Sequence, residues 1–171
     1  MGPYLENVAV FKCPADKSRV TIGGRLHNRI RSVSMNGWLN APREYFGIAW
    51  AGNQFRINTK LSDLVWPSPA NTFVLLDEHP DGINDGYFAV AMTDSSGNTG
   101  SGTEWIIDYP ASSHNGACGF NFADGHSEVR KWLNNTTRPP VTYKDGALRL
   151  SVASWRNVDV TWLRERTTGT K

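Results

Sequence analysis

The sequence predicts an α+β protein that is mostly β, with a small antiparallel sheet, long loops and a short C-terminal helix. Three observations lead to this fold class. The 171 residues include 16 Gly and 9 Pro, which is typical of many turns. The apolar residues recur in short alternating runs rather than at helical spacing. Seven Trp, seven Phe and five Tyr supply bulky side chains for a core. The length suits one globular domain over residues 1–171.

The first third of the chain predicts short elements joined by turns. "VAVFKC" (Val8–Cys13) indicates a short strand or the end of a helix, and the following "CPADKS" a turn in which Asp16 accepts backbone hydrogen bonds. "IRSVSMNGWL" (Ile30–Leu39) alternates like a strand that breaks at its Asn-Gly pair. Residues 40–58 are expected to form a long loop. "KLSDLVWPSP" predicts a helical turn with Ser62 as its cap.

The middle of the chain carries the clearest strand. "NTFVLLDEH" (Asn71–His79) is apolar on both faces, which is typical of a central strand. "GYFAVAM" (Gly86–Met92) follows the turn sequence "PDGIND" and is expected to be its antiparallel neighbour. Residues 93–103 predict a flexible loop, and "EWIIDY" another short strand.

A hairpin and a helix complete the predicted elements. "GFNFA" and "HSEVRKW" alternate around Asp124-Gly125, a pair that favours a two-residue type I′ turn. "NVDVTWLRERTT" (Asn157–Thr168) indicates a short helix with Asp159 near its N-terminus, where the dipole favours an anion. The side chains of the hairpin that are expected to face the core are Phe120, Phe122, Val129 and Trp132.

Charge and cysteine content exclude some classes of protein. The net charge of +2 argues against a nucleic-acid binder, and the basic cluster Arg25–Arg31 is interpreted as a solvated loop. No apolar run reaches about 18 residues, so no membrane span is expected. Cys13 and Cys118 are compatible with one disulfide or with two thiols. Without a Cys-x-x-Cys pair, a structural zinc knuckle is not expected.

The hairpin also carries a family signature. His114, nine further residues and then Asp124-Gly125 resemble the His-X9-Asp-Gly motif of prepilin-type processing-associated proteins of planctomycetes and verrucomicrobia. "VFKCPADKS", "RSVSMNGW", "FVLLDEHPDGINDGYF" and "DVTWLRERTT" are similar to segments of the same family. These motifs keep their order, and the resemblance spans nearly the whole chain, with less support in residues 40–58 and 93–103.

The resemblance implies a location and a role. Such proteins are related to type II secretion pseudopilins and begin with a basic leader, a cleavage site and a hydrophobic anchoring helix. The printed chain begins "MGPYLENVAV" and lacks that helix, so it is expected to correspond to the head domain. The implied role is a non-catalytic structural or interaction module of the cell envelope, periplasmic or extracellular. The implied partners are other envelope or secretion proteins.

Candidate ligands of a divalent cation lie at two places. Imidazole suits zinc, whereas clustered carboxylates suit calcium, and type II pseudopilins often bind calcium in a loop. "DGINDG" resembles a shortened calcium loop with Asp81 and Asp85 as ligands. Ordinary turns and hydrogen bonds explain the same residues, so both interpretations stay open. The candidate metal ligands at the strand end and around the hairpin are Asp77, Glu78, His79, His114, Asp124 and His126.

Two further functions stay open beside the envelope module. A metal-dependent hydrolase or oxidase acting on a polymer such as a polysaccharide would use the strand-end acids and hairpin histidines, although no spacing selects a catalytic residue. A carbohydrate-binding module would stack sugar rings on Trp38, Tyr45 and Trp50, unless these rings form a minor core. For all of these functions, His114 is expected close to the hairpin turn that contains Asp124. His114 is also expected across from the end of the strand at residues 73–78.

Overall fold

The computed structural model describes residues 6–40, 54–93, 103–144, 146–149 and 151–171. Within them the protein is α+β and mostly β, as the sequence predicts. The strands are β1 (Arg19–Ile22), β2 (Arg25–Asn28), β3 (Val33–Asn36), β4 (Phe73–Asp77), β5 (Tyr87–Phe88), β6 (Thr103–Ile106), β7 (Ala117–Phe122), β8 (Ser127–Lys131) and β9 (Val152–Trp155), and the α-helix is α1 (Val158–Arg164). Short 3₁₀ turns cover Val8–Phe11, Leu61–Asp63, Pro69–Asn71 and Asn135–Thr137.

A five-stranded sheet in the order β5-β3-β4-β7-β8 organises the molecule. β4 lies at its centre, as its doubly apolar sequence predicts, and pairs antiparallel with β3 and β7. The expectation that "GYFAVAM" neighbours β4 is wrong. Because β3 and β7 occupy both edges of β4, β5 pairs instead with the outer edge of β3, and in parallel.

Two smaller two-stranded sheets accompany the main one. β1 and β2 form an antiparallel ribbon in which Arg19 opposes Asn28 and Ile22 opposes Arg25. The basic cluster expected to be a loop therefore lies largely in a strand. β6 and β9 pair antiparallel over Thr103–Ile106 and Val152–Trp155, and an isolated bridge from Val90 to Ile106 connects this pair to the segment after β5.

The hairpin between β7 and β8 has a different turn from the one predicted. The Phe122 amide donates to His126 O at 2.9 Å and the Gly125 amide to Phe122 O at 3.0 Å, which closes a three-residue loop. Gly125 has a φ of +96°, whereas Asp124 is not among the residues with positive φ. A type I′ turn needs positive φ at both central residues, so the observed turn is the three-residue class with a left-handed glycine.

The core lies on the face of the sheet covered by α1. Phe120 is 1 % exposed and packs edge-to-face on Trp132 at 5.9 Å and on Trp162 of α1 at 5.1 Å. Phe122 and Trp132 are buried as predicted, but Val129 is 70 % exposed. Trp132 directly follows β8 and is three residues after Val129. The alternation of the extended chain therefore puts the two side chains on opposite faces, and only one of them can enter the core.

The ends of the helical segments follow local hydrogen bonding. Asn157 caps α1 through its side chain, and Asp159 lies in the first turn as predicted. Val8–Cys13 is a 3₁₀ turn over its first four residues, which agrees with the helical alternative. Ser62 lies inside its 3₁₀ turn and is not the cap, because the Asp63 carboxylate accepts the preceding amides instead. None of the helices in the described ranges is long and apolar enough to cross a membrane.

The two predicted loops fall mainly outside the described residues. Residues 41–53 and 94–102 belong to that part of the chain. At the described end of the first loop, Phe55 and Asn58 form isolated bridges with Thr170 and Leu39.

Candidate metal centre

Three side chains from distant parts of the sequence meet where the central strand of the main sheet, β4, ends. Cys13 Sγ lies 3.3 Å from His114 Nε2, although the two residues are 101 positions apart. With a carboxylate oxygen of Asp77 they form a group in which the three ligand atoms all lie within 4.8 Å of one another. Cys13 and Asp77 are half-buried and His114 is exposed, so the group opens to solvent.

Cys13 is held by the turn that follows the first 3₁₀ helix. The Lys12 amide donates to Ala9 O and ends that helix, and the Asp16 amide donates to Cys13 O at 3.0 Å. The Asp16 carboxylate accepts the amide of Ser18 at 2.7 Å, as predicted for the Cys-Pro-Ala-Asp turn. The thiol is therefore presented from a turn whose backbone is fixed on both sides.

Asp77 reaches the group because it is the last residue of β4. Its carbonyl accepts the Ala111 amide at 2.8 Å and the thiol of buried Cys118 at 3.2 Å. Successive side chains on a strand point to opposite faces, so Asp77 and Glu78 diverge. Only the first of these two adjacent acids contributes to the cluster with Cys13 and His114.

His114 is presented by a tight turn in front of β7. The Gly116 amide donates to Ser112 O at 3.0 Å and the Ala117 amide to His114 O at 3.2 Å. Asn115 and Gly116 both have left-handed φ, at +56° and +77°. Asn and Gly are the residues that adopt this conformation most readily, so "SHNGA" is suited to reversing the chain here.

Ser32 connects two members of the group. Its hydroxyl oxygen accepts the Cys13 amide at 2.7 Å and its hydroxyl donates to Asp77 Oδ1 at 3.0 Å. The backbone of the same serine donates to Phe11 O and accepts the Glu78 amide, so it is fixed at the start of β3. Ser32 thus sets the distance between the thiol-bearing turn and the end of β4.

The electrostatics of the cluster favour an added cation. Burial raises the pKa of Asp77, and the hydrogen bond from Ser32 and the charge of His114 lower it only in part, while Asp16 raises it further. A positive ion near the carboxylate would offset this desolvation and favour the ionised form.

Thiolate, imidazole and carboxylate together form a donor set that zinc accepts. Around tetrahedral zinc, with Zn–S about 2.3 Å and Zn–N about 2.1 Å, a sulfur and a nitrogen ligand lie about 3.6 Å apart. The observed 3.3 Å between Cys13 Sγ and His114 Nε2 is close to this value. A carboxylate oxygen of Asp77 lies within 4.8 Å of both atoms. Three protein ligands would leave a fourth position facing solvent.

Glu78 lies on the face of the sheet opposite to Asp77, near the buried carboxyl group of Asp108. It is 1 % exposed, its Oε2 accepts the hydroxyl of Ser34, and its Oε1 has no partner. Burial, and then the negative charge of Asp108, raise the pKa of Glu78 to about 9. Burial also raises the pKa of Asp108 to about 7, although its carboxylate accepts the Ala89 amide at 2.6 Å. Glu78 therefore holds a proton at neutral pH.

The loop after β4 is stabilised by hydrogen bonds of three of its side chains, those of His79, Asp81 and Asp85. His79 is fully buried, its Nδ1 accepts the Asp81 amide at 3.2 Å, and its Nε2 lies 3.1 Å from Pro139 O and so carries the proton. Burial lowers the pKa of His79. Asp81 accepts the amide and hydroxyl of Thr142. The Tyr87 amide donates to Asp85 at 2.8 Å. Each of these hydrogen bonds connects the loop to a different residue, and neither Asp81 nor Asp85 belongs to the cluster of Cys13, Asp77 and His114.

Asp124 and His126 pair with each other at the hairpin turn. Asp124 Oδ1 lies 2.6 Å from His126 Nδ1, and the His126 ring stacks on Phe122 at 4.4 Å. The hydrogen bond from His126 lowers the pKa of Asp124. His114 is not beside them, because the six residues of β7 separate the two turns by about 20 Å. The expected proximity of His114 to the end of β4 is present, and its expected proximity to Asp124 is not.

Trp38 does not offer a sugar-stacking surface. It is 2 % exposed, donates from Nε1 to Val90 O at 3.1 Å and packs on Phe55 at 6.0 Å. This matches the alternative of a minor core. Tyr45 and Trp50 lie outside the described residues.

The family resemblance, rather than the spacing of the cysteines, is the feature of the sequence that could have indicated Cys13 as a site residue. Cys13 lies in the Cys-Pro-Ala-Asp segment of the family resemblance, whereas cysteine content alone relates it only to Cys118. Both cysteines are free thiols in the structure, and the pKa of Cys118 is raised by complete burial. Ser32 carries no comparable signal, because a serine at the start of a strand has no distinguishing pattern.

Comparisons with known proteins add no relative: no family model, curated protein or solved structure matches the chain.

Proposed function

We propose that this protein is a non-catalytic head domain of a pseudopilin-like cell-envelope protein that holds a zinc ion through Cys13, Asp77 and His114. One observation carries the proposal: the three ligand atoms come from separate segments and lie within 4.8 Å of one another. Those segments are the Cys-Pro-Ala-Asp turn, the end of "FVLLD" and the histidine of the His-X9-Asp-Gly motif. The motifs that carry the family resemblance therefore converge on one place.

The role of the ion is structural. It would fasten the N-terminal turn directly to the end of β4 and to the turn before β7. The backbone of this segment is otherwise bonded to Ser32, which precedes β3, by Cys13 N to Ser32 Oγ and Ser32 N to Phe11 O. Binding to the folded state alone stabilises it by about 2.7 kcal/mol at a free metal concentration of about 100 times Kd. Metal affinity should fall at acidic pH, since the imidazole and thiol must be deprotonated to bind.

Zinc binding to the reduced, chelator-stripped protein tests the site. Calorimetric titration of Zn²⁺ should give one ion per chain and a higher melting temperature. His114→Ala and Cys13→Ser should each weaken binding about 100-fold or more, because each removes one of three ligands. His126→Ala is the matched control, since it removes another exposed histidine paired with an aspartate and should leave binding unchanged.

Two results would contradict the metal site. One is a wild-type protein that takes up no zinc at micromolar concentration. The other is equal loss of affinity in His126→Ala and His114→Ala. If the zinc-loaded protein hydrolyses polysaccharide and His114→Ala does not, the non-catalytic role is wrong and the hydrolase alternative takes its place.

The envelope location rests on the resemblance and is tested separately. The genomic sequence upstream of the codon for Met1 should encode a basic leader and an apolar segment of about 20 residues. Fractionation of the native cells should then recover the protein with the envelope. A cytosolic protein with no such upstream segment would contradict the location while leaving the zinc site to its own test.

A further inference from the structure

The positive charge of the chain is concentrated on the ribbon of β1 and β2. Residues 17–31 contain five Lys or Arg and no Asp or Glu. The whole chain has a net charge of +2, so the remaining residues, with 13 basic and 16 acidic side chains, have a net charge of −3. A basic surface on an otherwise acidic molecule attracts an anionic partner to one place.

The ribbon has two faces of different chemistry. Directly opposed residues of an antiparallel pair share a face, so Val20 and His27 lie on the same face as Ile22 and Arg25. The other face carries Arg19 with Asn28 and Thr21 with Leu26. Ile22 is 62 % exposed and Leu26 60 % exposed, which is unusual for apolar residues in strands.

The first face borders a groove of about 750 Å³ between the ribbon and the loop after β4. Its apolar lining includes Val20, Ile22, Ile30 and Ile83, and its basic lining includes His27, Arg29 and Arg31. Arg29 Nη1 donates to Pro80 O at 2.7 Å, which holds the ribbon to the opposite wall. The groove therefore combines an apolar floor with fixed positive charge.

The residues that line the groove favour an acidic polypeptide over an anionic carbohydrate or nucleic acid. None of the described residues that line the groove is Trp, Tyr or Phe, so this lining offers no aromatic platform on which sugar rings and bases stack. Within the described residues no third strand pairs with the outer edges of β1 and β2. An exposed strand edge binds extended polypeptide through main-chain hydrogen bonds, and alternate side chains then enter the adjoining groove.

We propose that this groove binds an extended acidic segment of a partner protein, with apolar side chains on Val20, Ile22 and Ile83 and carboxylates beside Arg31 of the lining and Arg25 on the same face of the ribbon. The interaction is independent of the zinc site, because none of the groove residues belongs to the Cys13, Asp77 and His114 cluster.

Fluorescence anisotropy with the whole protein tests the proposal. The probe is a fluorescein-labelled peptide of about ten residues that repeats Glu-Glu-Val-Val, so that each face of the extended strand carries both residue types. The control peptide has the same length and repeats Lys-Lys-Val-Val. The acidic peptide should bind and the basic one should not. Binding should weaken as salt rises from low to physiological concentration, because the charges are exposed to solvent.

Paired variants separate the two faces of the ribbon. Ile22→Ser and Arg25→Glu on the groove face should each weaken binding about tenfold or more. Leu26→Ser and Arg19→Glu change equally exposed residue types on the other face and should leave affinity within about twofold. All four side chains are exposed, and unchanged melting temperatures will show that the fold is retained.

Several results would overturn the proposal. They are the absence of peptide binding, an equal effect of both pairs of variants, and equal affinity for the basic peptide. Binding of a polyuronate, or of vesicles with about 30 % anionic phospholipid, by a protein that does not bind the acidic peptide would also overturn it in favour of a polysaccharide or membrane partner.

Discussion

At the scale of single residues, Ser32 is the link between Cys13 and Asp77. Its hydroxyl is the acceptor for one and the donor to the other, so Ser32→Ala leaves the Cys13 amide and an Asp77 oxygen without these partners. We expect a loss of about 1–3 kcal/mol in the free energy of unfolding. Zinc affinity should fall about 10- to 100-fold, as for other groups that orient metal ligands.

Chemical denaturation and zinc titration of the same variant check this prediction. Ser113→Ala is the control, because Ser113 is an exposed serine beside His114. A Ser32→Ala variant with wild-type zinc affinity would show that Ser32 does not position the ligands, even if stability falls.

The adjacent residues Asp77, Glu78 and His79 show what the sequence predicts at this scale and what it does not. Alternation along a strand separates neighbours onto opposite faces, and that much follows from the pattern. Which face meets Cys13 and which meets Asp108 depends on strands and turns that are distant in sequence. Long-range placement of this kind leaves no local pattern, so Cys13 and Ser32 were not predicted as members of the site.

At the scale of elements, the β7–β8 turn depends on the left-handed conformation of Gly125. Its φ is +96°, and a Cβ there would meet no atom within 4 Å. Gly125→Ala therefore adds backbone strain without a clash, and we expect a loss of about 1–2 kcal/mol in stability. Thermal and urea unfolding measure it.

Gly86 provides the matched control for this substitution. It also has open space at the Cβ position, but its φ is not positive. Gly86→Ala should be neutral, or more stable by up to about 1 kcal/mol because the unfolded chain loses freedom. If both substitutions cost the same, the conformation of Gly125 does not account for the effect.

The sequence predicts an element well when the pattern lies within one segment. It predicts poorly which strands pair with each other, because that depends on segments distant in sequence. The centrality of β4, the position of the hairpin and the terminal helix all follow from runs of residues within one segment. The partner of β5 does not, because β3 and β7 compete for the same edges of β4. The ribbon at Arg25–Asn28 was missed for a similar reason, since its strand residues are exposed on both faces and show no apolar alternation.

At the scale of the whole molecule, buried ionisable groups make stability depend on pH. Folding raises the pKa of Glu78 from 4.5 to about 9 and that of Asp108 from 3.8 to about 7. Between the unfolded and folded values the folded protein binds more protons than the unfolded chain. Stability contributed by these groups is complete below pH 3.8–4.5 and is lost as pH rises towards 7 for Asp108 and 9 for Glu78.

His79 has the opposite effect at the acidic end. Burial lowers its pKa from 6.5, so the unfolded chain binds the proton more readily and stability falls as pH drops below 6.5. Below pH 6.5 the effect of His79 opposes that of Glu78 and Asp108. Asp108 has lost about half of its proton at pH 7, so the decline above about pH 8 comes chiefly from Glu78.

Glu78→Gln isolates that contribution because glutamine keeps the size of the side chain and stays neutral. In urea unfolding with chelator present, the wild-type protein should lose stability from pH 7 to pH 9, with a slope of up to about 1.4 kcal/mol per pH unit for one proton. The variant should lose much less over this range and be the more stable protein at pH 9. Glu128→Gln, which changes an exposed residue of β8, should keep the wild-type slope. An unaltered slope in Glu78→Gln would mean that Glu78 is already ionised at neutral pH and that its buried charge is compensated within the fold.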